Sequence, residues 1–250
     1  MPDPKVKYIL ELADNAMILG QRISEWCGHG PVLEKDIALT NIALDLIGEA
    51  RYFYAYCAEI EGNGKTEDTY PFTRTEREFY NVLLVERPNR DWGHTLMRQF
   101  MFDCYHYFVL DGLRDSADSR IAEIANKTIK ESNYHLNFSS QWVIRLGDGT
   151  EESHHRMQDA LNRLIYYFEE MFVPTDSEKQ MFELGVAPDI NMVKIAAHAK
   201  FQDVINEATL VIPQNIIPQF GGKNGLHTED LGHILCSMQY MQRTYPNQVW

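Results

Sequence analysis

Four acids interrupt helical stretches where apolar side chains are expected to face a core. Asp14 lies in LELADNAMIL, Asp45 in NIALDLIGEA and Asp103 in RQFMFDCYHYF, while Glu131 lies in the more polar KTIKESNYHLNF. An ionised carboxylate taken out of water without a partner costs several kcal/mol, so such acids need a cation, a hydrogen-bond network or a raised pKa. Asp also has modest helix propensity and does not favour the helix that carries it. One carboxylate from the middle of each of four long helices is how a helical bundle holds two iron ions, with Glu-x-x-His on two of the helices. Here that pattern fails twice. Three residues beyond Asp45 stands Gly48, and three beyond Glu131 stands Tyr134, with His135 one step late and so about 100° further round the helix. The ordinary alternative is that each acid faces solvent through a gap in its apolar stripe.

Other acid-x-x-His spacings occur, among them Asp91 with His94, Glu151 with His154 and Asp230 with His233, but these sit at expected helix starts. Asp103 with His106 is the pair inside a long core helix, and it keeps a metal-binding reading open. Lys127, Glu131 and His135 are spaced four apart, which reads as a solvated ion-pair ladder worth a few tenths of a kcal/mol per pair. A sharper reading is that a basic side chain replaces metal charge among the acids, with Arg51, Lys127 and His135 as candidates. GGKNG at 221–225 has amides and Lys223 that could cradle an anion, but the favoured reading is a plain loop before the last helix. Nucleophile elbow, phosphate-loop and dinucleotide fingerprints are all missing.

The elements that would position these residues are helical nearly throughout. Apolar periodicity predicts helices over 5–27 and 33–61, separated by CGHGP. A third starts near TRTERE with Thr73 and Glu76 at capping-box spacing, breaks around ERPNRDWG and resumes over 92–114. A fourth runs over 118–146, capped by Asp118 or Ser119 and stopped at LGDGT. A fifth covers 151–172, then 173–188 reads as irregular. A helix over 189–207, a Pro- and Gly-rich loop, and a last helix from Thr228 to before Pro246 complete the chain. The expected fold is all-α: one domain over 1–250, a four-helix bundle with additional C-terminal helices.

Composition narrows the function classes. The 36 acids against 23 bases leave a net charge of −13, a field that repels nucleic acid and anionic membrane surfaces. No stretch approaches the ~20 apolar residues of a membrane span, and MPDPKVKYIL does not resemble a secretory leader. Cys27, Cys57, Cys104 and Cys236 read as buried free thiols, which suits the cytoplasm. The aromatic stretches YFYAYC and LIYYFEEMF are candidate contact faces, with packing inside the chain as the alternative.

Four segments carry a resemblance: LADNAMILGQRISEWCGHGPVLEKDIALTNIALDLIGEARYF, FTRTEREFYNVLLVERPN, KTIKESNYHLNFSSQWVIRLGDGT and GGKNGLHTEDLGHILCSMQYMQR. Together, and in this order, they resemble the PaaC-type subunits of bacterial phenylacetyl-CoA ring-1,2-epoxidases over about residues 7–250. The resemblance implies a ferritin-like fold and a structural, non-catalytic subunit in phenylacetate catabolism, a form of aromatic compound degradation. It implies no catalytic, cofactor or metal residue in this chain. Asp14, Asp45, Gly48, Asp103, Glu131 and Tyr134 are then vestigial metal-site positions. The di-iron centre and CoA thioester belong to a sister subunit of the monooxygenase complex, and a reductase with flavin and iron–sulfur chemistry supplies electrons from NADPH. Expected partners are that sister and the other epoxidase subunits, with a homodimer when the chain is alone. Two further readings stay open: a catalytic di-iron oxygenase using Asp14, Asp45, Asp103 and Glu131 with His106 or His135, and a helical binding module unrelated to oxygenases.

Overall fold

A computed structural model of the chain describes residues 3–246 and 248. Among them run eleven α-helices and no strand: α1 Pro4–Ser24, α2 Leu33–Glu61, α3 Thr69–Thr73, α4 Leu83–Glu86, α5 Trp92–Leu113, α6 Ser119–Gly147, α7 Glu151–Leu164, α8 Asp176–Glu183, α9 Ile190–Glu207, α10 Glu229–Met238 and α11 Tyr240–Thr244. The all-α, ferritin-like class read from the periodicity and the resemblance is therefore the observed one. The chain divides into two compact units. The first comprises Met1–Arg87, Thr175–Ser177 and Gly221–Trp250; the second comprises Pro88–Pro174 and Glu178–Phe220.

The first unit is built on α1 and α2, which pack along one another as a hairpin. Asp3 caps α1 by accepting from the Lys5 and Val6 amides at 2.8 and 3.4 Å, satisfying donors that a helix start leaves open. A Cβ at Gly20 would lie 2.9 Å from Ile47 Cγ1, so glycine there lets the two backbones close. Ile9, Ile18, Leu19, Leu39, Ile42 and Phe53 fill the seam without exposure.

The third helix expected near TRTERE is not formed. Residues 76–78 make a single 3-10 turn, and the capping box is Thr75 with Glu78 rather than Thr73 with Glu76. The reason lies on α1: Asp14 Oδ2 accepts from the Tyr80 amide at 2.8 Å, and Asn15 Oδ1 accepts from the Val82 amide at 2.8 Å. Backbone donors that a helix would use internally are held by side chains instead. The segment GGKNG is no open cradle. Lys223 is buried, and a Cβ at Gly222 would fall 2.2 Å from the Asn81 carbonyl oxygen, so the loop is packed shut against residues 81–83. The last helix breaks at Gln239, whose side-chain amide donates to the carbonyls of Pro71 and Arg74 at 2.8 and 2.9 Å.

In the second unit α5 and α6 form the main pair, with α7 and α9 packed on α5. α5 is buried on almost every side, so its stripe has no single phase, and Arg98 is fully enclosed. One of its guanidinium nitrogens donates to Asn89 Oδ1 at 2.7 Å. The fifth helix stops at Leu164 rather than 172 and continues as two 3-10 turns, Ile165–Tyr167 and Glu169–Phe172. The Tyr166 carbonyl accepts instead from the distant Gln219 amide at 2.8 Å. Helix α8 lies within the span read as irregular. Gly185 is the stop of that helix: its φ is +70°, and the Val186 amide closes back on the Met181 carbonyl at 2.8 Å.

The aromatic stretches proposed as contact faces are largely core. Phe53, Tyr54, Leu164, Ile165, Phe168, Met171 and Phe172 are all buried. The thiols divide: Cys57 and Cys104 are buried, whereas Cys27 and Cys236 are exposed. Cys27 lies just past the end of α1, and Cys236 falls off the buried stripe Leu231, Ile234 and Leu235 of α10.

Candidate functional site

Asp14 is fully buried near the middle of α1. Its carboxylate accepts from Arg74 Nη1 at 3.1 Å and from Arg74 Nη2, from the Tyr54 hydroxyl at 2.6 Å, and from the Tyr80 amide. Both oxygens are engaged in a two-pronged, charge-assisted contact of the strong kind. Arg74 is fixed in turn. Its Nε donates to the Tyr70 carbonyl and its Nη1 to the Glu78 carbonyl, each at 2.7 Å, and its guanidinium lies 4.2 Å from the Phe79 ring centroid. Burial works against the Arg74 charge, but Asp14 outweighs it and keeps the guanidinium pKa above its ordinary value. Burial and the Asp14 charge together push the Tyr54 hydroxyl well above the usual phenol range. Tyr54 is thus a neutral donor here.

The cation at Asp14 is therefore Arg74, not one of the three candidates named from the sequence. Arg51 pairs at the surface with Glu67 at 3.0 Å. Lys127 is exposed on α6, and Glu131 beside it is also exposed. Asp45 is half-buried, and the acid on the inward face of α2 is Glu49. A Cβ at Gly48 would meet nothing within 4 Å.

On α6 the inward stripe is Thr128, Ser132, His135 and Ser139. Tyr134 is 49% exposed while His135 is 2% exposed, so the Lys127–Glu131–His135 ladder is not a solvated stripe. The helix phase, about 100° per residue, turns His135 inward and Glu131 with Tyr134 outward.

Asp103 on α5 is also fully buried. It accepts from Gln99 Nε2 and from Ser139 Oγ, each at 2.7 Å. Burial raises its pKa to about 6, against the opposing pull of His135 and of the Ser139 and Gln99 hydrogen bonds. His106, its acid-x-x-His companion, stacks on Phe102 with ring centroids 5.0 Å apart. The remaining spacings resolve as caps and surface pairs: Asp91 accepts from the His94 amide at 2.8 Å, and Asp230 pairs with Arg87 at 2.8 Å. Within neither unit, among the described residues, do three or more His, Cys, Asp or Glu side chains gather closely enough to hold a metal ion. An iron at Asp14 would have to displace a guanidinium, a phenol and an amide, so that carboxylate does not fit a ligand role.

Several enclosed polar groups carry no local sequence signal, among them the buried Tyr54 and Arg98 and the nearly buried Arg74. The same is true of a cluster at Glu86, whose carboxylate accepts from His227 Nδ1 at 2.9 Å and from the Thr228 amide and hydroxyl at 2.7 and 2.8 Å. His227 Nε2 lies 2.9 Å from the Phe79 carbonyl oxygen. With an acceptor at each ring nitrogen, the imidazolium satisfies both. Burial opposes that charge, but Glu86 and the Phe79 carbonyl outweigh it and raise the pKa above the ordinary histidine value.

A helical chain of long hairpins, carrying buried acids matched by protein donors, is what these observations define. The model of a protein family described as phenylacetic acid catabolic protein matches residues 2–250, and the chain belongs to that family. It is similar to the C-type subunit of the 1,2-phenylacetyl-CoA epoxidase of Escherichia coli (strain K12), with 47% identity over 243 residues, covering 97% of this chain and 98% of that one. Among the described residues no helix is long and apolar enough to cross a membrane.

Proposed function

We propose that this chain is a non-catalytic structural subunit of a cytoplasmic phenylacetyl-CoA epoxidase, bracing a sister subunit that carries the di-iron centre. The observation that carries the reading is the engagement of both Asp14 oxygens by Arg74, Tyr54 and Tyr80. A bundle that substitutes a guanidinium for metal charge keeps its fold without iron. Gly48 and the exposed Tyr134 add support, since neither supplies a ligand where a Glu-x-x-His pattern needs one. The similarity to an epoxidase subunit over nearly the whole chain supports the complex. Iron belongs to the sister, and the flavin and iron–sulfur chemistry that draws on NADPH belongs to a reductase.

The bracing contact is assigned to the outer face of α2. Leu33, Ile37 and Leu44 are 71, 50 and 62% exposed and fall within about 40° of each other around the helix. Gly48 lies on the same side with open space above it, which lets a partner helix approach closely. In the absence of the sister, a second copy of this chain covers that face. Co-expression with the di-iron subunit, followed by an NADPH-dependent epoxidation assay with and without this chain, tests the role. The expected result is a stable complex whose activity depends on the chain; failure to form any complex overturns it.

A further inference from the structure

The second unit contains a cavity of about 280 Å³ that has no part in the Asp14 or Asp103 networks. Its wall is aromatic: Phe168 and Phe201 stand with ring centroids 4.5 Å apart. Its cover is the segment 211–219, which turns Ile212, Ile216 and Pro218 towards the cavity while Val211 and Ile217 stay 70 and 79% exposed. That strap is tied at both ends. Val211 exchanges two hydrogen bonds with the Gln158 side chain at 2.9 and 2.7 Å, and the Gln219 amide donates to the Tyr166 carbonyl. Between the ties the chain bends through Asn215, whose φ is +58°.

Three polar side chains line this largely apolar space, Glu169, His198 and Gln202, and the Gln202 side-chain amide donates to Asn206 Oδ1 at 2.8 Å. Lys194 already holds Glu169 at 2.7 Å. The His198 ring is fixed between Phe168 and Phe172, with centroids 5.2 and 5.1 Å away. Its Nε2 is buried and makes no hydrogen bond. Glu169 Oε1 is 3.1 Å away but out of line, so the contact is electrostatic proximity rather than a formed bond. A buried polar atom left in this condition carries a desolvation cost that a ligand can relieve. An apolar cavity of roughly 150 Å³ stays dry and takes up benzene, so the larger space here suits one ring with a short polar arm.

We propose that this cavity binds a neutral monocyclic aromatic alcohol or phenol, with the ring against Phe168 and Phe201 and the hydroxyl on His198 Nε2. The adjacent Glu169 carboxylate disfavours anionic ligands of the same size. The site is independent of the subunit role proposed above, and it is open to solvent beside the 211–219 strap, where the His198 side chain is 36% exposed.

Titration of the purified full-length chain with 2-phenylethanol, ethylbenzene and phenylacetate, followed by ligand-observed NMR, tests this. Saturable binding of 2-phenylethanol with a Kd on the order of 1 mM is expected, with ethylbenzene weaker and phenylacetate weakest. Ile216→Trp, which fills the cavity from the strap side, weakens 2-phenylethanol roughly tenfold or more. His198→Phe brings the alcohol down to the affinity of ethylbenzene and leaves ethylbenzene unchanged. Circular dichroism melts establish that both variants are folded; if one is not, the three-ligand ranking on the wild-type chain decides. Absence of saturable alcohol binding, phenylacetate binding as tightly as the alcohol, or a folded Ile216→Trp variant that binds unchanged each overturns the proposal.

Discussion

Arg74 and Asp14 form a two-pronged ion pair across 60 residues of sequence, with Nη1 and Oδ2 3.1 Å apart. The Asp14 side chain is wholly enclosed and that of Arg74 is 11% exposed. Breaking a buried pair from one side leaves an uncompensated charge, which costs about 3–5 kcal/mol. Arg74→Met is therefore expected to lower the unfolding free energy by that amount. Asp14→Asn with Arg74→Met is expected to recover much of the loss, because neither charge is then buried and the Asn carbonyl still accepts from the donors that Asp14 held, Tyr54 and Tyr80. A double-mutant cycle by denaturant titration measures both.

Asp103 gives a pH signature. Its folded pKa is raised to about 6, above the ordinary aspartate value of ~3.9. The folded state thus holds the proton more tightly, and this contribution is present below the unfolded value and lost as pH rises through about 6. The Asp103→Asn variant keeps acceptor and donor without the charge. Relative to wild type it is expected to gain about 2–3 kcal/mol between buffer below pH ~3.9 and buffer above pH ~6, the window set by the raised value of about 6. Equal pH dependence in the two proteins would show that Asp103 does not titrate in this way.

His227 has the same sign by a different route. Its folded pKa is raised by Glu86 and Phe79 against burial, so its stabilisation is complete below ~6.5 and is lost as pH climbs through the raised value. His227→Gln should cost about 1.5–3 kcal/mol in mildly acidic buffer and progressively less at alkaline pH. Hydrogen exchange at Thr228, whose amide donates to Glu86, reports the same loosening locally.

The α2 face is tested without touching the core. Leu33→Lys, Ile37→Lys and Leu44→Lys alter exposed side chains, so each is expected to change stability by no more than ~0.5 kcal/mol. The triple variant is expected to lose co-purification with the di-iron subunit and to run as a monomer when alone. Retention of the complex would move the contact elsewhere.

The long helices are legible in the sequence because their apolar periodicity and caps are local. The expected bounds of α2 match the observed ones, and those of α6 agree to within one residue at either end. Phase is harder to read than existence. Glu131 and His135 share one stripe by spacing, yet only the stripe through Thr128, Ser132 and Ser139 decides which faces inward. Buried partners are harder still. Arg74 lies in a stretch whose local signals suggest a helix start, and nothing near it in sequence points to Asp14. The 3-10 turns after Leu164 depend on a hydrogen bond from Gln219, a contact no window of local sequence contains.

Asp14 and Asp103 are satisfied by protein donors, so the isolated chain is expected to hold no iron. The most direct test is the iron content of the purified chain after expression in iron-replete medium, determined by plasma mass spectrometry alongside the co-expressed complex. The expected result is well below one iron per chain in isolation, with about two irons per sister subunit in the complex. Near-stoichiometric iron on the isolated chain, lost on Asp14→Asn or Asp103→Asn substitution, would contradict it.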